Sequence, residues 1–452
     1  MTVLSVIFVV AVLAGLYMAW NIGANDVANA MGTSVGSGAL TFRRAIVLAG
    51  VFEFCGAMFV GSNVAETIRK GIVPIDRFVA VQDRAEPDRR GGDARPPAFE
   101  ADRPGSRPGE ARGAGGPADA QAMDFAVGML SALLAAAIWL NVATFFGHPV
   151  STTHAIVGAV LGFAVAARGF GSPDWLKVGQ VSLSWIVSPL AGGLAAYVIY
   201  RCIRRFVLES RHPVFMAKRT VPIAAAGVVC VLCVSALYKG LSMRVSIWRA
   251  LSAAAALGMI TWLGVRIAIF RRTSRRRVRL SERYRVVEGW FARIQPVTAC
   301  YVAFAHGAND VANAIGPLAG AIHVFRGGAV GAKAPVPAWL LALGGAGIVL
   351  GLATYGHKVI ESVGKKITEM TPTRGFSAEF ATATVVLLCS KLGMPISTTF
   401  VLVGAVMGVG MARGFAAIDL RVIRRIFTSW VITVPVSAVL AGLIYYLLKW
   451  LV

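Results

Sequence analysis

The chain has 452 residues, 56% of them hydrophobic and only 15% charged. No water-soluble core needs that much apolar sequence, so a soluble globular fold is excluded and an all-α polytopic membrane protein is expected. The formal net charge of +23 is not gathered on one face; the basic residues cluster between apolar runs, which argues for cytoplasmic loops and anionic lipid and against a nucleic-acid partner. In chain order, runs long enough to suggest membrane spans fall at 3–20, 45–60 (extendable to 64), 129–146, 181–200, 221–237, 247–270, 339–355 and 432–452, some of them short enough to suggest broken or re-entrant helices. The first run lacks a basic flank and a small-residue cleavage site, so it reads as a retained span. Cys230 and Cys233 form a C-x-x-C pair inside an apolar run and read as packing residues, with no second pair to make a metal site.

Three blocks recur in the same order. GANDVANA stands at 23–30 and again at 307–314; Gly61, Glu66, Lys70 and Ile72 match Gly356, Glu361, Lys365 and Ile367 in spacing; Pro149-Val-Ser-Thr-Thr matches Pro395-Ile-Ser-Thr-Thr. Ordered duplication of this kind marks two homologous halves, 1–200 and 286–452, joined by basic loops and a helix pair at 201–285. Between 76 and 122 the apolar pattern gives way to Arg, Asp, Glu, Pro and Gly, a composition that cannot bury enough surface to fold, and this segment is expected to be a disordered insertion in the first half. The stretch 201–219 holds six basic residues against one acid and 271–285 eight against one. With both on the cytoplasmic side, loop 168–177 lies outside while its counterpart 413–425, with four arginines, prefers the inside. Equivalent loops on opposite faces mean inverted-topology repeats, with both termini outside.

Asp26 and Asp310 sit within apolar sequence, where a carboxylate costs about 2.5 to 3.5 kcal/mol, so each needs a partner, a proton or a cation. Together with the amide oxygens of Asn25, Asn29, Asn309 and Asn313, and with carbonyls freed where Gly breaks a helix, they form a set of hard oxygen donors suited to a small cation. Ser151, Thr152 and Thr153, and likewise Ser397, Thr398 and Thr399, read as capped helix starts, whose free N–H groups and positive dipole end suit an oxyanion. Two such ends would clamp a tetrahedral anion, and bound cations would turn the repulsion of the aspartates into attraction, a physical basis for obligate symport. Glu53, inside an apolar run, reads as functional; the Glu66/Lys70 and Glu361/Lys365 pairs read as ordinary i,i+4 helix pairs. His154 is expected to pack, His306 either to tune a cation site or to bond a carbonyl, and Trp185 and Trp430 to start late helices as interfacial anchors.

GANDVANA twice, with PVSTTH and PISTTF, resembles the signature repeat of the PiT family of inorganic phosphate transporters, and VFEFCGAMFVG followed by TIRKGIV is similar to its sodium-coupled prokaryotic branch. The resemblance implies about twelve spans in two inverted repeats, a homodimer in the cell inner (plasma) membrane, inorganic phosphate as substrate and sodium as the coupling ion, with no other cofactor. It places sodium at Asn25, Asp26, Asn309 and Asp310, phosphate at the six Ser and Thr residues, and a transport or accessory-ion role at Glu53 and Glu379. The chain departs from the family where some members carry an acid before the first Ser-Thr-Thr block and this one has Met129. Proton coupling, a metal-phosphate complex or sulfate are the alternatives within transport. Sulfate lacks the proton that phosphate can donate to a carboxylate. An aspartyl protease would need two carboxylates sharing a proton and no Ser-Thr-Thr repeat, so no enzyme is expected; an anion sensor differs from a transporter only in lacking flux.

Overall fold

The computed structural model describes residues 3–62, 117–237, 246–273, 279–325, 336–356, 369–392, 394, 396–414 and 419–451. Among them are twelve α-helices and no strand: α1 Val3–Gly36, α2 Phe42–Val60, α3 Pro117–Phe145, α4 Thr152–Arg168, α5 Trp175–Ile203, α6 Pro213–Leu237, α7 Ile247–Thr273, α8 Arg283–Phe325, α9 Ala338–Thr354, α10 Pro372–Lys391, α11 Thr398–Met411 and α12 Leu420–Leu451. A π-turn, Arg204–Leu208, extends α5. Six of these helices (α1, α3, α5, α6, α7 and α12) are long and apolar enough to cross a membrane, whereas α4, α9 and α11 are apolar but shorter.

Local chemistry sets the breaks. Helix α3 ends in a turn through Gly147 at φ 68°, which a side chain would strain. Ser151 then caps α4 by accepting from the His154 N–H, and Ser397 caps α11 by accepting from the Phe400 N–H. Both short helices therefore start at their Ser-Thr-Thr blocks, as the sequence implies.

Three expectations change. GANDVANA does not break its helix: α1 runs unbroken for 34 residues and α8 for 43, even with Pro296 and Pro317 inside it. Carbonyls there stay in the helical ladder, and only side chains remain as donors. Helix α3 begins at Pro117, so the last six residues of the expected insertion are helical; residues 76–116, like the Glu66/Lys70 and Glu361/Lys365 pairs, lie outside the described residues. Trp185 and Trp430 each stand ten residues past their helix starts. Trp185 lies tilted against His154 and Trp430 stacks on Phe400, with ring centroids 3.7 and 3.4 Å apart, so both pack against the Ser-Thr-Thr helices rather than anchoring an interface.

The halves interlock by exchange. Helix α2 packs on α8 and α9 on α1, while α11 packs on α5 and α4 on α12. Each seam is a backbone contact through glycine. A Cβ on Gly56 would strike the carbonyl of Phe304, and one on its repeat counterpart Gly351 would strike that of Trp20; Gly307 faces the carbonyl of Glu53, and Gly23 that of Ile348. Gly162 and Gly408 meet the Ala438 and Gly193 carbonyls in the same manner. Small residues let backbones approach closely, which is how helices gain van der Waals contact where lipid tails remove the hydrophobic drive.

Candidate functional site

The two short helices point their first turns at one another. Thr153 Oγ1 donates to the Ile396 carbonyl just ahead of α11 (3.1 Å), and Thr399 Oγ1 reaches the Val150 carbonyl just ahead of α4 (3.5 Å). Ser151, Thr152, Thr153, Ser397, Thr398 and Thr399 are none of them more than 3% exposed. Two capped helix starts, each with first-turn N–H groups that lack an intrahelical partner, thus face each other in a buried interior. Such a pair carries two positive dipole ends and several hydroxyls, the chemistry of an oxyanion site.

The GAND side chains meet these tips crosswise. In the first copy Asn29 Nδ2 donates to Asp26 Oδ1 (2.9 Å) and to Thr399 Oγ1 (2.8 Å), and Thr399 Oγ1 donates to Asp26 Oδ1 (3.2 Å). In the second, Asn313 Nδ2 lies 2.9 Å from Asp310 Oδ1 and 3.2 Å from both Thr152 Oγ1 and Thr153 Oγ1, while Thr152 donates to Asp310 Oδ1 (3.0 Å). Each aspartate is bonded to the Ser-Thr-Thr block of the opposite half. Asp26 Oδ2, Asp310 Oδ2 and Asn29 Oδ1 are buried oxygens without a hydrogen-bond partner, the feature a cation would satisfy. Asn25 and Asn309 behave differently. Asn25 Oδ1 accepts from the Val150 N–H (3.2 Å) and its Nδ2 donates to Thr144 Oγ1 (2.8 Å) and the His148 carbonyl (3.2 Å); Asn309 donates to the Ile396 carbonyl (2.9 Å) and accepts from Ser390 Oγ (3.2 Å). Their polar atoms hold the segments leading into α4 and α11.

His306 faces carboxylates, not a carbonyl. Its Nε2 lies 3.6 Å from Asp26 Oδ2 and 3.5 Å from Asp310 Oδ2, and its Nδ1 lies 3.2 Å from Glu53 Oε1. Asp26, His306 and Asp310 each offer an atom within 4.8 Å of the others. Two bare carboxylates at that separation repel by about 3.5 kcal/mol at an effective dielectric of about 20, so a cation, a protonated imidazole or a carboxyl proton must lie among them.

Glu379 belongs to a separate cluster. Its Oε1 accepts from Thr33 Oγ1 (2.6 Å), Ser34 Oγ (2.6 Å) and Gln295 Nε2 (3.0 Å), and Oε2 accepts from Thr298 Oγ1. This carboxylate ties α1, α8 and α10 together and is saturated by donors. Sequence reading missed its four partners, Thr144, Ser390 and the carboxylate contacts of His306; Thr144 and Ser390 stand seven residues before Ser151 and Ser397, a spacing that could have revealed them. His154 packs as expected, between Trp185 and Phe400, with neither ring nitrogen hydrogen-bonded.

Comparison with known proteins identifies the family. The model of the "Phosphate transporter family" matches residues 22–441, which takes in both GAND blocks and both Ser-Thr-Thr blocks. A Pyrococcus furiosus protein bearing the name of a phosphate permease is 43% identical over 439 residues, covering 97% of this chain and 95% of that one. "Inorganic phosphate transporter 2-1, chloroplastic" of Arabidopsis thaliana is 42% identical over 451 residues, 95% of this chain and 70% of that one. A solved structure described as "The sodium-dependent phosphate transporter" superposes with a TM-score of 0.84 at 37% identity, covering 99% of this chain and all of that one. Matched along nearly its whole length, with both buried Asn-Asp blocks and both Ser-Thr-Thr blocks inside the match, this multi-pass helical chain belongs to the phosphate transporter family.

Proposed function

We propose that the protein is a sodium-coupled symporter of inorganic phosphate. The observation that carries this reading is the crosswise bonding of Asp26 to Thr399 and of Asp310 to Thr152: the cation donors and the anion donors share hydrogen bonds. Phosphate sits between the tips of α4 and α11, held by their first-turn N–H groups and by Ser151, Thr152, Thr153, Ser397, Thr398 and Thr399. Sodium ions sit at Asp26 and Asn29 and at Asp310 and Asn313, where unpartnered oxygens are at hand, with Asn25 and Asn309 steadying the neighbouring backbone. A bound cation withdraws Asp26 and Asp310 as competitors for the threonine hydroxyls and cancels their repulsion of the anion, so affinity for phosphate follows cation occupancy. The reciprocal exchange of helices between halves supports inverted repeats, which would set the site near the bilayer midplane with both termini outside.

Proton coupling is the second reading, and it stands on His306 between the two aspartates, where an imidazolium would supply the same positive charge. Uptake of labelled phosphate into proteoliposomes separates the two. Accumulation under an inward sodium gradient alone is the expected result; accumulation under a proton gradient alone overturns sodium coupling. Excess sulfate should leave uptake unchanged, and competition by sulfate would broaden the substrate to tetrahedral oxyanions.

A further inference from the structure

We propose that Thr144 and Ser390 are positioning residues that hold the anion cradle in its receiving geometry through Asn25 and Asn309; this rests on reading the Ser-Thr-Thr helix starts as that cradle. The cradle depends on backbone N–H groups, and such groups hold an oxyanion only if the chain leading into each helix is fixed. That chain lies between helices, α3 and α4 in one half and α10 and α11 in the other, outside their hydrogen-bond ladders.

The structure fixes it in both halves with the same device. In the first, Thr144 Oγ1 accepts from Asn25 Nδ2 (2.8 Å), which also reaches the His148 carbonyl (3.2 Å), while Asn25 Oδ1 receives the Val150 N–H (3.2 Å). In the second, the Ser390 hydroxyl lies 3.2 Å from Asn309 Oδ1, and Asn309 Nδ2 donates to the Ile396 carbonyl (2.9 Å). Thr144 and Ser390 are both fully buried, and each also lies 2.8 Å from the carbonyl four residues earlier in its helix, Leu140 and Val386. In Thr144 the back-bond uses the hydroxyl proton and leaves the oxygen as a fixed acceptor for Asn25, whereas the single Ser390 proton is shared between the Val386 carbonyl and Asn309 Oδ1. The amides are turned oppositely, since Thr144 accepts and Ser390 is placed to donate, yet the three-membered link of hydroxyl, asparagine and pre-helix backbone is the same.

The link has a functional direction. Asn25 and Asn309 immediately precede Asp26 and Asp310 on α1 and α8, so each cation block is wired to the helix start of its own half through the asparagine, and to the opposite half through Asp26–Thr399 or Asp310–Thr152. Without Thr144 or Ser390 the asparagine keeps its backbone bonds but loses the anchor, and the pre-helix chain gains freedom it must surrender when the anion binds. The charge that attracts the anion is untouched.

The test uses the full-length protein in proteoliposomes with labelled phosphate at saturating sodium. Thr144→Val and Ser390→Ala should each raise the phosphate concentration for half-maximal uptake about tenfold, as expected for one buried hydrogen bond, with the maximal rate within about threefold of wild type. Thr144→Ser should restore the wild-type value, and Thr144→Val should add nothing in an Asn25→Ala background, because the hydroxyl acts through that amide. A merely structural role would lower the amount of active protein and the maximal rate while leaving half-saturation unchanged, and that pattern overturns the proposal, as does failure of Thr144→Ser to restore. Should Thr144→Val not fold, Ser390→Ala, which deletes one oxygen, carries the same test. A wild type that takes up no phosphate under any cation gradient overturns the cradle reading and this proposal with it; a wild type that does, with variants of unaltered half-saturation, overturns this proposal alone.

Discussion

The two halves build the same frame and then part company at a few positions. The glycine seams correspond pair by pair, as do the Ser caps and the Asn positions, while the Asp–Thr crossings match to within one residue, since Asp26 takes Thr399 and Asp310 takes Thr152, the counterpart of Thr398. The ionisable groups around them do not. Aligned on the GAND repeat, His306 corresponds to Ile22; aligned on Gly61 and Gly356, Glu53 corresponds to Ile348; aligned on the Ser-Thr-Thr repeat, Glu379 corresponds to Leu133. Ile22, Ile348 and Leu133 are all fully buried. The cage around Glu379 is missing as well, since Gln295 and Thr298 correspond to Ala11 and Ala14. Symmetry therefore makes the clamp and its pair of aspartates, and asymmetry adds His306, Glu53 and Glu379. The extra carboxylates and imidazole therefore distinguish two halves that otherwise share one frame.

The largest effect should come from the shared positions. Asp26→Asn and Asp310→Asn should each lower sodium-driven phosphate uptake by about a hundredfold or more, in keeping with the several kcal/mol measured when one partner of a buried charged cluster is removed. Equal losses would show that the GAND halves are functionally equivalent; wild-type uptake in either would break that equivalence. Next comes Glu379→Leu, which copies the first half into the second. It leaves Thr33, Ser34, Gln295 and Thr298 without their acceptor, and should destabilise the protein by about 3 kcal/mol, read as a lower thermal unfolding midpoint in detergent. An unchanged midpoint would mean that those donors find other acceptors. The smallest effect belongs to two ion pairs at the far ends of α4 and α11. Arg168 lies 3.7 Å from Asp124, and Arg413 lies 3.4 Å from Glu369, each one residue out of strict repeat register. Asp124 is 13% exposed and also bonds Lys449 and Tyr445, while Glu369 is 76% exposed. Asp124→Asn should cost about 1 kcal/mol and Glu369→Gln no more than about 0.5 kcal/mol. The second loss should vanish in high salt, and a larger one would make that pair part of the transport cycle.

Much of the site was legible because duplication amplifies short motifs. One Ser-Thr-Thr block is a common helix cap; two in register, each following an Asn-Asp block, are not. What stayed hidden is instructive. Gly23 and Gly307 read as helix breakers, yet the helices run on, because those glycines serve the backbone approach of Ile348 and Glu53 rather than a special dihedral angle. Helix α8 was absent from the apolar runs because its central face carries the polar residues of the site. The Glu379 cage draws on Thr33, Gln295 and Thr298, up to 346 positions away, a distance over which no spacing rule operates. His306 gave no hint of touching three carboxylates, since two of them arrive on α1 and α2.

The seams through Gly162 and Gly408 have a mechanical meaning. They bolt α4 to α12 and α11 to α5, and α5 and α12 turn Leu190, Leu194, Val431 and Leu443 outward, all more than half exposed. Outward apolar side chains of this kind suit hydrocarbon, so the helices that carry the Ser-Thr-Thr blocks are fastened to ones exposed to membrane thickness. Acyl-chain length in the surrounding lipid is therefore expected to act on turnover through these glycine contacts.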